Sequence, residues 1–172
     1  MTVKNIVTVP DEILRKKSHP IEKININEKK LIKNLFDTMY HSNGIGLAAI
    51  QIGIAKRIVV VDVSKENEKN EPYCLINPVI KKTSEEKSIY EEGCLSIPNT
   101  FIDIERPKII NVTFINEYGK KKEMEFDGLL STCIQHEINH CDGKLIIDFL
   151  SKLKKDILIK KLKKKSNSKI TV

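Results

Sequence analysis

Apolar positions along the chain follow several distinct rhythms. Leu31, Ile32, Leu35, Phe36 and Met39 recur at spacings of three and four, which lays one apolar stripe along a helix. Asn27 is its expected N-cap, and Asn43 with Gly44 its expected end. Residues 57–63, RIVVVDV, are β-branched and almost continuously apolar, as suits a strand covered on both faces. Residues 109–115 and 120–126 read as two extended runs flanking Asn116, Glu117, Tyr118 and Gly119, the composition of a hairpin turn. Asp127 opens a second predicted helix, with Leu129, Leu130, Cys133, Ile134 and Glu137 on one broad face and a close near Gly143. Ser151 would cap a third, whose stripe of Leu153, Ile157, Leu158 and Leu162 is set among lysines. The expected fold class is α+β: small, mostly antiparallel sheets around the central helix of residues 128–141, the first helix alongside, and an amphipathic helix at the C-terminus.

Composition adds a boundary. At 172 residues the chain is long enough for one well-buried core and short for two. Its net charge of +7 first suggests nucleic acid, but the charge is unevenly spread. Residues 151–172 hold nine Lys against one Asp, a net +8, so residues 1–150 sum to −1. The expected division is therefore a near-neutral body of residues 1–150, which would hold any chemistry, and a basic helix and tail of residues 151–172. With 27 Lys and only Arg15, Arg57 and Arg106, the surface lacks the planar forks that read base edges, which argues against sequence-specific DNA recognition. No apolar run reaches the length of about 18 residues that would predict a membrane helix, and the N-terminus lacks the apolar stretch of a secretory signal. A cytoplasmic location is expected, and with it thiol, ligand or core roles for Cys74, Cys94, Cys133 and Cys141 rather than disulfides.

Candidate chemistry begins at His136, Glu137, Ile138, Asn139 and His140. The pattern His-Glu-x-x-His on a helix places two imidazoles one turn apart on one face, able to clasp one ion, with Glu137 beside it. No His or Glu follows His140, so a third ligand must come from upstream, where Cys94, His41, His19 and several carboxylates are available. Cys94 lies among Gly93, Ser96 and Pro98, a turn-prone strand edge. Taken alone, a cysteine in such a run is more often a small buried hydrophobe than a ligand. The segment GIGLAAIQIG, residues 44–53, offers close backbone approach at its glycines but matches neither a dinucleotide fingerprint nor a phosphate loop. Gln51 within it reads as a satisfied core amide or as a donor aimed into a cavity.

Taken together and in order, GIGLAAIQ at 44–51, EGCLS at 92–96 and QHEINH at 135–140 resemble the three motifs of the peptide deformylase family. The resemblance implies a metal-dependent hydrolase that removes the N-terminal formyl group from formyl-methionine of nascent polypeptides and releases formate. It makes Cys94, His136 and His140 the ligands of one divalent ion, Fe(II) first, with Zn(II), Ni(II) or Co(II) as other occupants. Glu137 becomes the proton shuttle, and the Gln51 amide and Leu95 backbone N–H become donors to the developing oxyanion. Substrate would lie as an extended strand along Ile45 and Gly46, with Ile45, Leu129, Thr132, Cys133 and His136 around the methionine side chain and Arg106 meeting acceptors further along the peptide. The basic C-terminal helix would dock near the ribosomal exit tunnel. The chain departs from the family pattern at Asn139, usually Asp, and at Cys141, usually Leu; Asn139 bears on metal affinity or helix tuning, and neither residue is expected to be a ligand.

Overall fold

The computed structural model describes residues 2–64 and 71–167. Its larger sheet has five antiparallel strands in the order β1 (Gly46–Ala48), β2 (Ile58–Val61), β3 (Tyr73–Thr83), β6 (Ile109–Ile115) and β7 (Lys121–Asp127). Between β3 and β6 the chain makes a separate two-stranded sheet, β4 (Lys87–Cys94) paired with β5 (Ile97–Pro107). Helices α1 (Ile26–His41), α2 (Gly128–Cys141) and α3 (Lys152–Asn167) complete the α+β architecture, with short 3-10 turns η1 (Glu12–Arg15), η2 (Ala49–Ile52) and η3 (Ile146–Phe149).

Strand β2 organises the core. All four of its residues are fully buried. Successive side chains point to opposite faces, so Ile58 and Val60 pack with Leu31, Leu35 and Met39 of α1, while Val59 and Val61 pack with Ile134, Ile138 and Cys141 of α2. The uninterrupted apolar run has this physical origin: a central strand with a helix on each side has no wet face. β1 divides the same way, Leu47 toward α1 and Ala48 toward α2, which brings the GIGLAA segment against the helix that carries the histidines.

Two boundaries differ from expectation. α1 is capped by Asn25, not Asn27: the Asn25 side chain accepts from Asn27 N–H, and Glu28 returns a bond to the Asn25 N–H in a capping box. Two asparagines in a row of alternating Ile and Asn offered the same signal, and the Glu three residues on decides between them. The apolar stripe expected on α3 also splits. Leu158 and Leu162, with Ile159, pack on the cluster formed by Leu14, Ile97, Ile104 and Ile147, whereas Leu153 and Ile157 are exposed. The tail beyond residue 167 lies outside the described residues. Among the described residues no helix is long and apolar enough to cross a membrane.

Candidate metal centre and peptide cleft

α2 supplies the helical half of the site. Gly128, the first residue of α2, and Gly143, just past its end, adopt positive φ; a Cβ at Gly143 would sit 2.4 Å from the Arg15 carbonyl oxygen, so only glycine ends α2 against η1. His136 and His140 lie one turn apart with their rings inclined at 62° and their Nε2 atoms 3.2 Å from each other. Cys94 Sγ lies 3.2 Å from His140 Nε2. The three ligand atoms all fall within 4.8 Å of one another, the one such grouping among the described residues that could hold a metal ion. His19 and His41, the other upstream histidines, are exposed and take no part.

Cys94 reaches this place through an irregular hairpin. Gly93 pairs with Phe101, yet Cys94 pairs with Ile97, so residues 98–100 bulge out of β5. A bulge bends its strand and re-aims the neighbouring side chains. Gly93 makes room for the turn, because a Cβ there would meet the Phe101 ring at 2.9 Å. Glu92, two residues before Cys94 on the same strand face, accepts from both Nε and Nη2 of Arg106 and contacts His136 Nδ1 at 2.9 Å. Burial works against ionising Glu92, but the Arg106 and His136 bonds hold its carboxyl below the usual carboxylate range.

Electrostatics fit a cation. Burial opposes charge on His136, yet its bonds to Cys94 and Glu92 pull the imidazole up to about 10, so the pocket stabilises positive charge at that ring. Burial and the neighbouring His136 push His140 well below the usual histidine range, which keeps it in the neutral form that ligates metal. His140 Nδ1 is buried with no hydrogen-bond partner. A thiol sulfur and two imidazole nitrogens converging on one point, in a chain whose four cysteines are all free, make a donor set suited to a divalent transition metal.

Beside the trio opens a cavity of about 670 Å³ lined by residues of all three sequence motifs. Glu137 borders it, 3% exposed, with Oε2 unpartnered and its carboxyl pushed up to about 7 by burial. Gly46 lies directly against this carboxylate: a Cβ would stand 2.5 Å from Glu137 Oε1 and 2.7 Å from Cys133 Sγ. Gln51 is buried, its Oε1 accepting from the Ala48 N–H and its Nε2 directed at Ser96 Oγ, 3.2 Å, and Cys94 Sγ, 3.8 Å.

A family model for polypeptide deformylase matches residues 3–156. The chain belongs to that family. It is 51% identical to the peptide deformylase of Pelagibacter ubique over the whole length of both chains. The crystal structure of peptide deformylase from Ehrlichia chaffeensis superposes with a TM-score of 0.92 at 41% identity, covering 98% of this chain and 99% of that one. A second structure of the Ehrlichia chaffeensis enzyme, in complex with actinonin, gives a TM-score of 0.91 at 43% identity, with 96% and 98% covered. This deformylase is thus an enzyme that removes the N-formyl group from nascent polypeptides, a metal-dependent hydrolase with a Cys-His-His group able to hold its ion.

The deformylase cavity gathers most of the residues singled out from sequence: Ile45, Gly46, Gln51, Cys94, Leu95, Leu129, Thr132, Cys133, His136 and Glu137 all line it. Arg106 does not. It is 4% exposed, held by Glu92 and by Asn139 Oδ1 at 2.9 Å, so its guanidinium faces the back of His136 rather than an incoming peptide. Its charge is matched by a buried carboxylate, and turning outward would strand both. Asn139 is accordingly a partner of Arg106, and Cys141 is fully buried in the core beneath β1 and β2. Sequence reasoning gave Glu92 no role. Its signal was the period of two along β4, which puts Glu92 and Cys94 on one face.

Proposed function

We propose that Cys94, His136 and His140 bind one divalent ion, Fe(II) in the working enzyme, and that Glu137 moves the protons of formyl hydrolysis. The carrying observation is the unpartnered Glu137 oxygen at the cavity wall, next to the ligand trio and against a glycine that keeps the approach open. A bound ion supplies Lewis acidity, which makes water nucleophilic near neutral pH and polarises the formyl oxygen. Glu137 takes a proton as the water oxygen bonds to the formyl carbon, then delivers it to the nitrogen as the C–N bond breaks, leaving formate and a free amine. A carboxyl held near neutrality both accepts and returns a proton at working pH. Gln51 Nε2 and the Leu95 N–H are the proposed donors to the oxyanion, each worth about 10² to 10³ in rate.

The methionine side chain occupies the part of the cavity bounded by Ile45, Leu129, Thr132 and Cys133. Strand β1 is an edge of the five-stranded sheet, paired with β2 on one side only, and so supports an added peptide strand along Ile45 and Gly46. Cys133 Sγ donates to the Ile45 carbonyl at 3.4 Å, which steadies that edge from the helix side. Selection of formyl over acetyl follows from close backbone near the ion.

Beyond the catalytic body of residues 1–150, the exposed Lys152, Lys154, Lys160 and Lys161 of α3 support docking at the ribosome near the exit tunnel, through salt-sensitive contacts to phosphate, in the cytoplasm. Purified protein loaded with Fe(II) under anaerobic conditions tests the chemistry: it should release formate from formyl-Met-Ala and leave an unblocked peptide of the same sequence intact. An ion-loaded enzyme that releases no formate overturns the reading. Activity should decay in air with Fe(II) and persist with Ni(II); equal decay counts against iron-centred oxidation. Co-sedimentation with ribosomes at low salt, unchanged after truncation at Leu150, would remove the docking role from α3.

A further inference from the structure

Of the three arginines only Arg106 is buried. Its Nε and Nη2 donate to Glu92 and its Nη1 to Asn139 Oδ1, so the in-plane edge of the guanidinium is engaged and its faces remain. One face is covered by the ring of Phe149, whose centroid lies 4.9 Å from Cζ. Phe149 is 48% exposed, so its ring separates the guanidinium from solvent instead of filling a core.

The turn that carries the ring is anchored twice. Ile146 and Ile147, in the same η3 turn, pack with Ile102 and Ile104 of β5, the strand that carries Arg106. Asp148, the residue before Phe149, accepts from the Leu145 N–H and pairs with Arg15 of η1 and Lys155 of α3. Water kept off one face of a buried ion pair strengthens it, and an aromatic face adds attraction for a planar cation. A loosened Arg106 would release Glu92, and with it the oxygen that fixes the His136 ring through Nδ1. Partners of this kind set the orientation of a ligating imidazole.

We propose that Phe149 is a positioning residue for His136, acting through Arg106 and Glu92 by covering the guanidinium with its ring face. The inference rests on the reading of Cys94, His136 and His140 as metal ligands. The test uses full-length protein loaded with Co(II), whose thiolate charge-transfer absorption reports the intact centre, and follows transfer of the ion to excess chelator at pH 7. F149Y should release cobalt at the wild-type rate, F149L about threefold faster, and F149A about tenfold faster, since the ring attraction and then the cover are lost. Melting temperatures of the metal-free variants accompany each rate. F149A at the wild-type rate, F149L indistinguishable from wild type, or F149Y as fast as F149L overturns the proposal, and so does a lowered melting temperature with unchanged release. A wild-type chain that shows no thiolate-to-cobalt band overturns the ligand assignment itself, before any variant is compared.

Discussion

The helix and the hairpin reach the same point by opposite routes. On α2 a single regular element brings the two rings together: residues four apart share a face, and the Nε2 atoms of His136 and His140 lie 3.2 Å apart. On β4 the regular element fails to deliver. Cys94 comes into range only because β5 bulges over residues 98–100 and Gly93 lets the Phe101 ring close over it. The helical half is local geometry, and the hairpin half is tertiary geometry. A ligand of the first kind takes its backbone position from the helix alone and needs the hairpin only to fix its ring, whereas one of the second depends on everything that sets the register of the hairpin.

The largest expected effect breaks any view of the helix as ligation alone. E137Q should lower formate release by about 10³-fold while metal content by elemental analysis stays at one ion per chain; loss of metal as well would place Glu137 among the ligands. Next, E92Q probes what the hairpin contributes besides Cys94. Metal affinity by chelator competition should fall about 10- to 100-fold, because His136 loses its orienting charge and Arg106 its carboxylate. An unchanged affinity would show that the helix holds its histidine unaided.

Gly46 packs onto the helical half from β1, so G46A comes third. With Cβ forced to 2.5 Å from Glu137 Oε1, the variant should lose about 1 to 3 kcal/mol in urea unfolding together with most of its activity. The smallest effect lies furthest from the chemistry, at Asp148. Burial opposes its ionisation, but the Arg15 and Lys155 bonds hold its carboxyl down to about 2. A depressed folded pKa gives stability that is full above the unfolded value near 4 and lost as pH falls toward 2. D148N should therefore cost about 1 kcal/mol at pH 7, and the gap to wild type should narrow below pH 4.

The same contrast explains what could be read in the sequence. The spacing of His136 and His140, the twofold burial of residues 58–61 and the hairpin of residues 109–126 follow from periodicity, which each segment carries in itself. β4 and β5 went unrecognised from pattern because their strands alternate imperfectly around Gly93 and Pro98 and bury little on one side. Cys94 became a ligand candidate of weight only through the three motifs together. Arg106 entered through the resemblance as a contact for the peptide, and nothing local in the sequence shows that Glu92 lies on the neighbouring strand to pair with it. The split of the α3 stripe is likewise invisible locally, since which leucines face the body depends on where η3 sets the helix down.

The double covering of β2 also bears on the order in which the molecule can come together. One face of the strand meets α1, made earlier in the chain, while the other waits for α2, made long afterward. A chain growing from its N-terminus therefore carries a half-clad sheet from the completion of β2 until α2 is made, and contacts so distant in sequence are slow to form. On the proposed ligation, ion capture would belong to that same late event, because the helix that closes the core is the one that brings both histidines.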